Sequence, residues 1–348
     1  MGSSPDRRHF LGIAAGTAAF APFASAVPAA GQSLPAHIAG PAATSPAATS
    51  KAFGPMKHVK AGVLNIGYVE MGPAHGHPVL LLHGFPYDIH SYVEVAPLLA
   101  SEGYRVIVPY FCGHGSTTFL SPDTRRNVDK AAFALDTIAL MDALRIQRAV
   151  IAGYDWGSRT ADIIAAMWPQ RCRALVSLTG YLITNLAANL KPLPPMAENA
   201  WWYQYYFATE RGVAGLTLYR HDLGRFIWKF NSPTWDFSQD TYDRTLAAFD
   251  NPDYVAIVIG NYRWRQSLVP SEPEYADLER VLQQAPTIGV PTITIDGRYG
   301  PFTPAGDGSA YRAMFTGKYD HRVLDVGHNV PQEDPRGFAT AVVDAAEW

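Results

Sequence analysis

The 348-residue sequence predicts an α/β fold: a mostly parallel, twisted sheet with helices on both faces, interrupted by a helical insertion. Three observations predict it. Short β-branched and apolar runs alternate with helical patterns from about residue 57 to residue 181. A stretch over about 182–270 is aromatic and largely helical, with no clear strand. Strand signals then return twice before a terminal helix.

In chain order, Leu64 to Glu70 reads as an early strand. Val79-Leu80-Leu81-Leu82 is a buried strand running into His83-Gly84. Ser91 to Ser101 has helical spacing and stops at Gly103. Arg105 to Pro109 is the next strand. Arg126 to Leu144 reads as a long amphipathic helix, with Ala132, Leu135, Ile138, Ala139 and Met141 supplying much of its apolar face. A strand over Ala149 to Ala152 leads to a helix from Ser158 to Trp168, which Pro169 ends. Ala174 to Leu178 is a further strand. After the helical stretch, Thr292 to Ile295 and Arg322 to Val326 read as strands, and Phe338 to Ala346 as the last helix.

Composition narrows the function. Hydrophobic residues make up 48% and charged residues 17%, so the chain can bury a large core. The net charge of −3 excludes a basic nucleic-acid footprint and gives no reason to expect an anionic membrane partner. No CxxC or HExxH pattern suggests a metal, and no cofactor motif is present, so neither cofactor nor metal is expected. Cys112 follows one strand and Cys172 precedes another, at opposite ends of the sheet, which predicts free thiols.

The N-terminus reads as an address. Arg7-Arg8 precedes an Ala-rich apolar run from Leu11 to Phe23, and Ala24-Ser25-Ala26 offers a small-residue cleavage site. Residues 1–26 resemble a twin-arginine signal peptide, which predicts a periplasmic or secreted protein. The apolar run is too short for a stable membrane span. Residues 27–54, rich in Ala, Pro, Ser and Thr, read as a flexible linker. The division that follows is a core over 55–181 and 271–348, with a helical cap over 182–270.

The candidate chemistry sits at strand ends. Gly153-Tyr154-Asp155-Trp156-Gly157 lies between a strand and a helix. Small residues flanking a central side chain permit a strained turn that projects it above the sheet. A carboxylate there can displace at saturated carbon and form an alkyl ester; the bland alternative is a helix-capping Asp. His83-Gly84-Phe85-Pro86 follows another strand, where a loop supplies a backbone donor, making the Phe85 and Trp156 N–H groups a candidate oxyanion hole. Gly327-His328-Asn329 follows the last strand, where a general base belongs.

Together HGFP, GxDWGS and GHNVPQEDP resemble the α/β-hydrolase superfamily, and within it the epoxide hydrolases, close to the haloalkane dehalogenases. The resemblance covers about residues 57–345. It implies that Asp155 attacks carbon and that His328 activates the water that hydrolyses the ester. It further implies two cap tyrosines that protonate the opening oxygen. Tyr203, in WYQYYF, and Tyr262, in NYR, match those places, although either could simply fill the cap core. Phe85 stands where haloalkane dehalogenases typically carry Asn, which favours the epoxide branch. Trp156 could instead donate to a halide, so a haloalkane dehalogenase using the same ester route is the alternative.

The chain departs from the family pattern in two places. Tyr154 precedes the nucleophile where epoxide hydrolases usually carry His. The acid that orients the catalytic histidine is missing from both usual positions, which hold Gly300 and Tyr181. Asp307 and Asp296 remain as candidates, each with a structural alternative: capping the following helical run, or ending a strand. The missing acid also keeps open a non-catalytic ligand-binding protein on the same fold. The aromatic cap predicts a small-molecule, apolar substrate. The sequence carries no signal of oligomeric state.

Overall fold

The computed structural model describes residues 53–126, 129–302 and 305–348. The leader and linker expected over residues 1–26 and 27–54 lie outside them, apart from Phe53 and Gly54. Phe53 packs its ring against His90, with centroids 5.7 Å apart.

Nine strands form one sheet: β1 (Lys57–Ala61), β2 (Leu64–Met71), β3 (Pro78–Leu82), β4 (Arg105–Pro109), β5 (Thr118–Phe119), β6 (Ala149–Gly153), β7 (Cys172–Leu178), β8 (Thr292–Gly297) and β9 (Tyr319–Leu324). Their order is β1-β2-β4-β3-β6-β7-β8-β9, with β5 beside β2. From β4 to β9 every pairing is parallel, while β2 pairs antiparallel with β1, β4 and β5. The α/β class is therefore as the sequence predicts. The central strands carry near-continuous apolar runs, such as Val79 to Leu82 and Ala149 to Ala152. All eight of these residues are buried, because helices cover both faces.

The covering helices are α1 (Val95–Ser101), α2 (Lys130–Ala143), α3 (Trp156–Met167) and, at the C-terminus, α12 (Pro335–Ala346). Helix α1 packs with α12, and α2 with α3. Between β7 and β8 run α4 (Leu186–Asn189), α5 (Pro195–Ala200), α6 (Trp202–Ala208), α7 (Glu210–Asn231), α8 (Gln239–Phe249), α9 (Tyr254–Arg265) and α10 (Ala276–Leu282). The short α11 (Val330–Glu333) follows β9.

Several element boundaries differ from expectation, three of them for a physical reason. The Ser91–Ser101 helix divides into a 3₁₀ turn at Ile89–Tyr92 and α1, because the Asp88 carboxylate accepts the His90 N–H and tightens the first turn. Helix α2 begins at Lys130, after Asp129 in extended backbone, rather than at Arg126. The last strand is Tyr319–Leu324, not 322–326. It lies at the sheet edge and is half-buried throughout, so its polar Tyr-Asp-His-Arg run hid it from an apolar pattern.

Cys112 and Cys172 are both buried and free. Among the described residues no helix is long and apolar enough to cross a membrane, and no cluster of His, Cys, Asp and Glu could hold a metal ion.

Candidate active site

The turn from β6 to α3 places Asp155 in left-handed backbone, at φ 52° and ψ −117°, where a non-glycine residue stores strain. The flanking glycines permit this by close approach. A Cβ at Gly157 would lie 1.9 Å from the Leu82 carbonyl oxygen, and one at Gly153 would lie 2.4 Å from the Gly157 backbone. The turn stands over the carboxyl end of β3, whose following loop meets it. The Phe85 N–H donates to Asp155 Oδ1 at 2.8 Å, and a Cβ at Gly84 would meet the Asp155 side chain at 2.5 Å.

That loop is held by a residue with no role in the sequence reading. His83 is buried, and its Nε2 accepts the Phe111 N–H at 3.2 Å. Its proton therefore sits on Nδ1, which donates to the Gly84 carbonyl at 3.0 Å. Burial lowers its pKa and keeps the ring neutral, as this pattern needs.

Nε2 of His328 faces Asp155 Oδ2 at 3.7 Å, a charge contact longer than a hydrogen bond. Burial by itself would raise the Asp155 carboxyl. The close approach of His328, the hydrogen bond from the Phe85 N–H and the Arg159 charge outweigh it and hold the group at about 2. Asp155 is thus an anion at any neutral pH, bound at one oxygen and directed toward a histidine at the other.

The His328 loop is stapled by contacts that sequence reasoning also missed. Its N–H donates to the Asn231 carbonyl at 3.1 Å, just beyond β9 and at the end of α7. The Glu333 carboxylate accepts from Gly327 N–H at 2.8 Å, Asn329 N–H at 3.0 Å and Ser232 Oγ at 2.6 Å. One acid thereby ties the histidine loop both to its own chain and to the segment after α7. GHNVPQEDP was the available signal, since Glu333 lies within it, but nothing in the string gives the partners.

Tyr203 of α6 and Tyr262 of α9 are brought together with the elbow. Their rings meet edge to face at 5.4 Å, and Tyr262 lies 5.8 Å from the Trp156 ring and 5.4 Å from Phe85. Both tyrosines are buried. Burial first, and the Asp155 charge as well, raise both phenols, so each stays a protonated donor. The Tyr262 hydroxyl and the Trp156 indole N–H make no well-formed hydrogen bond, although each lies within the other's electrostatic reach. Trp156 also opens α3, where a backbone N–H has no acceptor within its own helix.

The two candidate acids lie elsewhere. Asp296 ends β8 facing Tyr311, whose hydroxyl approaches its oxygens at 3.2 and 3.3 Å. It also accepts the Gly306 N–H at 3.2 Å and faces His321 Nε2 at 3.6 Å. Asp307 is exposed and accepts the Ser309 N–H at 2.9 Å, a local cap. Neither contacts His328. Among the described residues, Asp155 is the one carboxylate within 4.0 Å of that ring. Tyr181 donates its hydroxyl to the Pro286 carbonyl, and Tyr154 is hydrogen-bonded to Ser91 at 2.6 Å. At Gly300 a Cβ would meet nothing closer than 3.5 Å.

This arrangement of elbow, donor loop and histidine after the last strand coincides with a family-model match. Residues 77–335 fit the family described as alpha/beta hydrolase fold. The chain belongs to that family. Within it, the chain is 55% identical to the crystal structure of a "putative epoxide hydrolase" from Klebsiella pneumoniae, with TM-score 0.83 over 84% of this chain and 97% of that one. Epoxide hydrolase A of Mycobacterium tuberculosis is 24% identical over 320 residues, covering 79% of this chain and 92% of its own. The bifunctional epoxide hydrolase 2 of Sus scrofa is 33% identical over 162 residues, 46% of this chain but only 28% of that longer protein. A haloalkane dehalogenase loop variant from Bradyrhizobium elkanii shares the fold, at TM-score 0.65 and 18% identity.

Proposed function

We propose that the protein is an epoxide hydrolase working through a covalent ester on Asp155. The observation that carries this reading is a single constellation. A strained, anionic Asp155 has Oδ1 on the Phe85 N–H and Oδ2 toward His328, with two buried, protonated tyrosines packed against the neighbouring Phe85 and Trp156 rings. The similarity to proteins named epoxide hydrolases supports it.

In this mechanism Asp155 Oδ2 attacks a ring carbon. The carbon–oxygen bond of the ring breaks, its electron pair stays on oxygen, and Tyr203 or Tyr262 supplies the proton. His328 Nε2 then takes a proton from water, and the hydroxide adds to Cγ of Asp155. The negative charge develops on Oδ1, which already accepts the Phe85 N–H, and the Trp156 N–H serves as the second donor in this mechanism. Collapse breaks the Cγ–Oδ2 bond and releases the alkoxide, which takes the proton from His328. The proton on the regenerated Asp155 carboxyl returns to the tyrosinate. Epoxide and water give a diol, and nothing else is consumed.

A second reading rests on the Trp156 indole N–H, a buried donor without a hydrogen bond beside the nucleophile. It could hold a departing halide, which needs no proton. A panel of epoxides and haloalkanes offered to the purified protein decides between them. Epoxide turnover that Asp155→Ala abolishes supports the proposal. Haloalkane turnover alone supports the dehalogenase, and ligand binding without turnover supports a non-catalytic protein. The Arg7-Arg8 leader supports action beyond the cytoplasmic membrane as a further part of the proposal.

A further inference from the structure

Two buried arginines beside the site have no role in that mechanism. Arg159 lies on α3, four residues after Asp155, and is 8% exposed; Arg265 ends α9, three residues after Tyr262, and is 6% exposed. Tyr262 and Arg265, three apart on α9, are neighbours on one face, with Cβ atoms roughly 5–6 Å apart, and Arg159, in the first turn of α3, donates its backbone N–H to the Asp155 carbonyl at 3.2 Å. The helices that deliver the nucleophile and one of the tyrosines therefore deliver the two cations as well. Both line a cavity of about 350 Å³ together with Trp201, Gln204, Thr184 and the exposed Lys191.

Neither cation has a direct ion-pair partner, and the one anion that acts on Arg159 at longer range is Asp155, the nucleophile itself. Among the described residues no carboxylate lies within 4.0 Å of either guanidinium, and neither Nε has a hydrogen-bond partner. Arg159 donates through Nη1 to the Leu182 carbonyl at 3.0 Å and Thr184 Oγ1 at 3.2 Å, which uses only part of its fork. The Arg265 guanidinium lies 5.5 Å from the centre of the Trp201 ring and 5.7 Å from that of Tyr262. Burial, and then the Arg265 charge, lower the Arg159 pKa to about 10, so the two cations are close enough to oppose each other. Asp162, one turn further along α3, does not relieve this. Its Oδ2 accepts the Leu182 N–H at 2.7 Å, and burial pushes its carboxyl up to about 7. Buried like charges facing one cavity are costly unless an anion joins them.

We propose that this cavity is the anionic subsite of the active site and that the substrate is an epoxide bearing a carboxylate a few bonds from its oxirane ring. The substrate class rests on the epoxide reading above; the binding of a carboxylate does not. A planar carboxylate matches the fork of either guanidinium, and one negative charge between two cations offsets their repulsion. It holds the substrate one helical turn from Asp155 and Tyr262, which fixes the carbon presented to Oδ2. This replaces the purely apolar substrate expected from the aromatic cap.

The test uses the full chain and two measurements. Calorimetric titration with butyrate and with butyramide needs no turnover. Butyrate binds more tightly than butyramide by roughly ten- to hundredfold, the factor a charged hydrogen-bonded pair supplies. In Arg265→Gln that preference disappears, while Arg265→Lys retains part of it. The second measurement is kcat/KM for a short epoxy acid and its primary amide. The acid is favoured in the wild type, and the ratio collapses toward one in Arg265→Gln. Equal binding of butyrate and butyramide to the wild type, or an acid-to-amide ratio unaltered in Arg265→Gln, overturns the proposal. Selective butyrate binding with no epoxide turned over overturns the epoxide reading and leaves the anionic subsite standing. Equal turnover of acid and amide without butyrate binding does the reverse.

Discussion

Gly300 occupies a position at which an acid would be expected to orient the histidine, and Gly300→Asp is the perturbation that asks what its absence costs. The geometry admits the change. A Cβ there lies 3.5 Å from the Gly297 carbonyl oxygen and 3.9 Å from the His328 backbone nitrogen, ordinary contacts, and the backbone is not left-handed. Gly300, Phe302 and His328 line one small cavity of about 10 Å³, room for about one water. The His328 side chain is only 7% exposed, so a carboxylate beside it is weakly screened. Two unit charges about 4 Å apart interact by about 4 kcal/mol at an effective dielectric constant near 20. Displacing water and fixing the new side chain offset part of this, leaving ~1.4–2.8 kcal/mol for the imidazolium formed when His328 takes the water proton. That corresponds to ester hydrolysis roughly ten- to a hundredfold faster. Rapid quench with intact-mass detection reads the hydrolysis step separately from ester formation, which should change little. Gly300→Asn has nearly the same shape without the charge and should gain much less. Hydrolysis no faster in Gly300→Asp than in the wild type, or equally fast in Asp and Asn variants, refutes the reasoning.

Replacing Tyr203 and Tyr262 together by Phe should abolish ring opening with the melting temperature nearly kept, since the Tyr262 hydroxyl makes no hydrogen bond; haloalkane turnover that survives would move the protein to the dehalogenase branch. Asp296→Asn should slow ester hydrolysis less than tenfold, because Asp296 serves Tyr311, His321 and Gly306 rather than His328. It should lower stability by about 1–3 kcal/mol in a denaturant melt, as the buried Asp296 loses the charge that its hydrogen-bond partners face. Changing Arg7 and Arg8 to Lys should retain the enzyme inside the cell, and unchanged fractionation would count against a twin-arginine leader.

Much of this site was legible because each part is local. The elbow needs two small residues around one position, the Phe85 loop follows the apolar strand β3, and His328 stands next to a glycine just past the last strand. Tyr203 and Tyr262 were readable only through family resemblance, since eighteen tyrosines give no spacing that singles out two. The contacts that hold the parts in register were not legible. Glu333 reaches Ser232 across 101 residues, and the His83 proton position follows from Phe111, 28 residues away. Arg159 and Arg265 look like ordinary surface cations in sequence; only the packing of α3 against the helical segment buries both beside one cavity. The polar edge strand β9 was misplaced for a related reason. Its pairing with β8, Thr292 opposite Tyr319 through Gly297 opposite Leu324, is set by the neighbour and not by its own apolar pattern.

The central claim is a covalent ester on Asp155, and intact-mass spectrometry of His328→Gln after exposure to an epoxide tests it most directly. Asp155 keeps its hydrogen bond from the Phe85 N–H in that variant, so attack on carbon proceeds, while the water that would break the ester lacks its base. The account predicts a stable adduct of one substrate mass, located to the peptide carrying Asp155 and lost in His328→Gln/Asp155→Ala. An epoxide that the wild type turns over but that leaves no adduct on His328→Gln would contradict it.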